Sequence, residues 1–186
     1  MKFLRVVLPS VLGLGLLSGC QTYSSIETYI SSDAPSKCPD AAILAPTATL
    51  PAFDPRVGAD PTALQYQISM TSVRSRCDYD KSSRVADTWV KFKVEATRPP
   101  GGQTANYRVP YFVAVSSGGD VVTKDLHWLE FEFSGNSTTA TADEVLDSVP
   151  VVVPEGKQAY DYHLLLGFQL TEAQIAYLAK MGRYEP

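Results

Sequence analysis

Between Val85 and Thr97 the side chains alternate with a period of two: Val90, Phe92, Val94 and Ala96 on one side, Lys91, Lys93 and Glu95 on the other. Successive side chains of an extended strand point to opposite faces, so this stretch puts one face in a core and the other in water. A half-buried strand is not stable alone; it requires neighbouring strands and a second apolar layer. Trp89 has the parity of the charged face, beside Asp87, Lys91 and Lys93. It is either an aromatic anchor for a partner or a ring covered by a neighbouring loop or by the C-terminal helix.

The same period recurs along the chain. Leu64, Tyr66, Ile68 and Met70 alternate with polar residues, and then Val73, Ser75 and Cys77 continue with the opposite parity. One residue has slipped, which predicts a bulge near Thr71-Ser72. Tyr107 to Ser116 is apolar on both faces despite Pro110, as expected of a central strand, and Ser117-Gly118-Gly119-Asp120 then reads as a hairpin turn. Val121 to Phe133 ends in Leu129, Phe131 and Phe133, whereas Leu126 and Trp128 have the other parity, so a second bulge is expected there. Further strands are expected over Val145–Val153, interrupted by Pro150, and over Tyr160–Leu170. Upstream, Pro46, Pro51, Pro55 and Pro61 break the chain into loop, extended segment or edge strand.

At Thr171 the period changes. Thr171 with Gln174 forms a capping box, and Ile175, Leu178 and Ala179 make one apolar stripe ending at Gly182. This predicts a short helix docked through Ile175 and Leu178. About seven strands separated by turns argue for an all-β, antiparallel β-sandwich, immunoglobulin-like, with one short C-terminal helix; a small closed barrel is the alternative.

The N-terminus has a different character. Lys2 and Arg5 precede an apolar run of about twelve residues, Val6–Leu17, and Leu17-Ser18-Gly19-Cys20 closes it. This is the plan of a secretory signal, and the run is short of the roughly 20 residues that span a bilayer. The Leu-Ser-Gly-Cys quartet resembles the lipobox of bacterial lipoproteins. That resemblance implies a diacylglycerol on the Cys20 sulfur, cleavage before Cys20, and a membrane anchor as the only covalent group, with no other cofactor. Gln21 stands where an aspartate retains many Gram-negative lipoproteins at the inner membrane, so the resemblance implies the outer membrane, with the domain facing the periplasm. Five further stretches, Cys38-Pro39, Cys77-Asp78-Tyr79-Asp80, Ala96-Thr97-Arg98, Pro110–Val115 and Leu166–Thr171, together resemble a group of uncharacterised Gram-negative envelope lipoproteins. The expected organisation is a signal at 1–19, a lipidated cysteine and flexible tether at 20–37, and the domain at 38–186.

Cleavage would remove Lys2 and Arg5, leaving 14 basic against 20 acidic residues, a net charge of −6. Such a chain has no electrostatic case for nucleic acid. With Cys20 lipidated, Cys38 and Cys77 remain, an even pair that reads as a disulfide in an oxidising compartment.

Chemistry-bearing motifs are sparse. His127 and His163 lie inside expected strands, and Asp125 or Asp161 could be drawn into a relay with a serine, but no nucleophile-elbow motif is present. Asp78 and Asp80 lack the glycine and terminal glutamate of a calcium loop, which favours a solvated turn. No metal or catalytic residue is assigned. Tyrosines and tryptophans are plentiful enough for a contact surface, with Trp89, Tyr160 and Tyr162 the candidates. The expectation is a non-catalytic accessory or scaffolding subunit that binds an envelope protein. A module for a small molecule, lipid or glycan, with a tyrosine-lined pocket, is the alternative, and an enzyme would need His127 or His163 in a cleft beside a carboxylate.

Overall fold

The computed structural model describes residues 37–182. The signal, Cys20 and nearly all of the tether fall outside the described residues. Eight strands form two four-stranded sheets. The first sheet has the order β1-β8-β5-β6, from β1 (Asp40–Ile43), β8 (Tyr162–Phe168), β5 (Ala105–Ser117) and β6 (Asp120–Phe133). The second has the order β2-β3-β4-β7, from β2 (Thr49–Phe53), β3 (Leu64–Asp80), β4 (Val85–Thr97) and β7 (Thr139–Val152). The sandwich is thus the fold, with neither sheet closed into a barrel. The pairings are antiparallel except β1 against β8, the first strand lying parallel to the last.

Alternation decides which face each strand buries. On β4, Ala86, Thr88, Val90, Phe92, Val94 and Ala96 all point inward. The β3 register shifts between Met70 and Ser72, so Tyr66, Ile68 and Met70 before the bulge and Val73 and Ser75 after it share the core side. β5 is an inner strand of its sheet, flanked by β6 and β8. Across the core Phe92 meets Tyr111 edge-on, with ring centroids 5.0 Å apart. The Tyr111 hydroxyl donates to Glu144 Oε1 at 3.1 Å, and burial, then the Glu144 charge, push this phenol well above its ordinary range.

Cys38 and Cys77 are disulfide-bonded, with Cα atoms 5.7 Å apart. Cys38 lies two residues before β1 of one sheet and Cys77 belongs to β3 of the other, so the bridge ties the two layers together.

Two expectations need correction. No bulge falls at Leu126–Trp128: β5 and β6 pair without interruption from Ala105↔Phe133 to Val115↔Thr123, and the shift comes at Val115/Ser116, next to the hairpin turn. Leu126 and Trp128 therefore stay on the outer face, 60% and 52% exposed. In the proline-rich segment the edge strand is the alternative that forms: β2 pairs with β3 alone, a position where Pro51 is tolerated. The other correction is β7, which starts at Thr139, well before Val145, because small Ala140 and Ala142 can fill inward positions on an edge strand.

The helix α1 (Glu172–Lys180) begins with the expected capping box of Thr171 and Gln174. Its docking face differs from expectation. Leu178 is buried, Tyr177 meets Phe53 of β2 at 4.8 Å, and Gln174 Nε2 donates to the Pro51 carbonyl at 2.7 Å. Positions 174, 177 and 178 make one stripe at helical spacing, which turns Ile175 to the rim, 40% exposed.

Candidate functional site

The outer face of the second sheet is built around Trp89. The turn Lys81–Arg84 joins β3 to β4 and sets their register, with Asp80 accepting hydrogen bonds from the Ser82 amide and from both serine hydroxyls. Those bonds hold the Asp80 carboxyl down at about 2, so Asp80 caps the turn from the end of β3, whereas Asp78, expected in a solvated turn, lies within the strand opposite Asp87. From this register, Arg76 lies opposite Trp89, Arg74 opposite Lys91, and Ser72 opposite Lys93. Residues opposite one another share a face, so four cations and one indole project together.

On the far side β7 completes the surface. Asp143 stands opposite Lys93, and Val145 opposite Lys91. The β4–β7 register shifts between Thr88 and Val90, where Thr88 faces Val149 and Val90 faces Leu146. Asp147 and Ser148 are the extra pair across from Trp89, a bulge that locally twists the edge strand. The Arg76 guanidinium lies 5.5 Å from the Trp89 ring centroid, and Trp89 is only half-buried. Lys91 Nζ reaches Asp143 Oδ2 at 3.0 Å, while Arg74, Arg76 and Lys93 are in no ion pair among the described residues. Ser148 Oγ donates to Asp87 Oδ1 at 2.6 Å, which engages the acid beside the indole. Ser72, Arg74, Lys91, Phe92, Lys93 and Asp143 line a shallow depression of about 210 Å³.

Such a surface can hold a carboxylate or another anion against Arg and Lys while the indole supplies apolar area. The parity of Trp89 was legible in the sequence. The two arginines were not assigned to it, although counting back from the Lys81–Arg84 turn puts Arg76 opposite Trp89.

The tyrosines divide. Tyr160, on a short 3-10 turn before β8, is exposed, whereas Tyr162 is 5% exposed and belongs to the core. Tyr162 is corrected as a contact residue: it has the inward parity of Leu164 and Leu166. Tyr66 and Tyr111 are also core residues, and burial raises the Tyr66 phenol to about 12.

The histidines form no relay of the kind weighed for Asp125 or Asp161 among the described residues. His163 Nδ1 contacts Asp40 Oδ1, because the parallel β1–β8 register puts Asp40 beside it; neither Asp161 nor Asp125 does so. Ser116 is opposite His163 on the other side, but no hydrogen bond joins them. His127 stacks on Tyr111 at 5.2 Å. Comparison with protein-family models, curated proteins and solved structures finds no match.

Proposed function

We propose that this protein is a lipid-anchored accessory subunit of the bacterial envelope, which holds an acidic partner protein against the outer face of β3–β4–β7. The observation that carries this reading is Trp89 directed outward among Arg74, Arg76, Lys91 and Lys93 in a chain that is acidic overall. Trp and Arg recur as anchors of protein interfaces, and a cationic cluster favours encounter with an acidic surface. The anchor rests on the Leu17-Ser18-Gly19-Cys20 quartet, and Gln21 favours the outer membrane. Two or more acyl chains give stable attachment, each buried CH₂ contributing roughly 0.8 kcal/mol. The domain's role is then binding, not catalysis.

Trp89→Ala and Cys20→Ala test the two halves separately. Trp89 is half-buried under one guanidinium, so its loss should lower stability by no more than about 1 kcal/mol. It should weaken capture of the partner from solubilised membranes about thirtyfold, the effect of ~2 kcal/mol at an anchor. A large loss of stability, or capture unchanged in a stable variant, would reject the Trp89 face. Cys20→Ala should free the domain from the membrane pellet or leave an uncleaved signal. A variant that is processed and pelleted like wild type would reject the anchor.

A further inference from the structure

Each sheet of an open sandwich has two edges, and exposed edges invite pairing with another chain unless something blunts them. Three of the four edges here carry such a device. β1 is only 4 residues long, β2 contains Pro51, and β7 contains Pro150 and the bulge at Asp147-Ser148. β6 differs: it runs 14 residues without proline, its pairing from Thr123 to Phe133 is unbroken, and among the described residues it pairs only with β5. Val122, Leu126 and Trp128, all more than half exposed, lie along its outer face.

The free hydrogen-bonding groups of β6 can be assigned. Pro110 has no N–H, and its carbonyl accepts from the Gln169 amide on the β8 side. Trp128, opposite Pro110, is therefore in a non-hydrogen-bonded pair with β5, and its own N–H and C=O face the open edge. Every second residue follows suit, so Lys124, Leu126, Trp128 and Glu130 present both backbone groups and outward side chains.

We propose that β6 pairs antiparallel with β6 of a second copy of this chain, about a two-fold axis at His127, to make one continuous eight-stranded sheet. The sequence of the edge is self-complementary in this register. Lys124 falls opposite Glu130 of the partner copy, and Leu126 opposite Trp128, each twice by symmetry. The axis one residue earlier would put Lys124 opposite Trp128, and one residue later opposite Glu132 with Leu126 against Glu130, so the charge and apolar matches coincide only at His127. In the single chain, Lys124 Nζ bonds Gln169 Oε1 at 2.9 Å and lies over the Phe112 ring, and Glu130 is 3.7 Å from Arg108. Both are exposed contacts that a new neighbour can replace. This pairing uses the first sheet and leaves the Trp89 face of the second open; it does not depend on the lipid anchor.

His127→Cys in the full-length chain, oxidised in its own membranes, tests the register. The two copies of residue 127 would form a non-hydrogen-bonded pair with Cα atoms about 4.5 Å apart, within the span of a disulfide. A non-reducing gel should show a homodimer band that the parent chain, carried alongside to report on Cys20, does not give. Adding Lys124→Glu or Glu130→Lys should abolish that band, and adding both together should restore it. No band, a band indifferent to the single reversals, or a mixed disulfide with a different protein would each overturn the proposal. So would a band gained only when residues 21–36 are deleted, because the edge would then belong to this chain's own N-terminal segment.

Discussion

Ser75 is buried at the centre of β3, and its hydroxyl reaches no hydrogen-bond partner among the described residues. It occupies the inward parity that the Thr71-Ser72 bulge restores, so a polar residue sits where Val73 sets the pattern. An unpaired buried hydroxyl costs on the order of 1–3 kcal/mol in desolvation. Ser75→Ala removes only that oxygen, so the variant should be more stable than wild type by about 1 kcal/mol in chemical denaturation. A destabilised variant would mean that the hydroxyl is satisfied. Residue parity was readable in the sequence wherever one register held along a strand, as at Trp89. It misled at Leu126 and Trp128, where two exposed apolar side chains imitate the signature of a slipped strand.

Among the elements, α1 shows what local signals carry and what they omit. Thr171 and Gln174 announce the start of the helix because a capping box is a contact within four residues. The rotation of the helix on the sandwich depends on its contacts with β2, which lie far away in sequence, so the sequence favoured Ile175 over Tyr177 as Leu178's companion. Leu178→Asp should destabilise the fold by about 3 kcal/mol or more, since it deletes a buried leucine and buries a charge. Ile175→Asp should cost less than about 1 kcal/mol, given the exposure of that side chain. Equal losses for the two in thermal melts would contradict the docking through positions 174, 177 and 178.

At the scale of the whole molecule, the layers and the helix were legible because periodicity reports burial, and burial defines a sandwich. Strand order was not, since the parallel β1–β8 pair and the crossings between sheets depend on contacts distant in sequence. The Cys38–Cys77 bridge spans both, closing a loop of 39 residues between the two layers. Chain-entropy arguments put its contribution at about 4 kcal/mol, and a strained bridge would deliver less. Cys38→Ser should lower the denaturation midpoint accordingly, and reduced wild-type protein should match it. The proposed binding face depends on the same architecture: the β3–β4 hairpin brings Arg74 and Arg76 across from Lys91 and Trp89, with β7 as the rim. The most direct test is a photo-crosslinking residue placed at Lys91 in the living cell, compared with one at the exposed Lys180 of α1. A discrete adduct with one envelope protein from position 91, lost on Trp89→Ala and absent from position 180, is the predicted result. No adduct from position 91, or the same adducts from both positions, would contradict the assignment of that face.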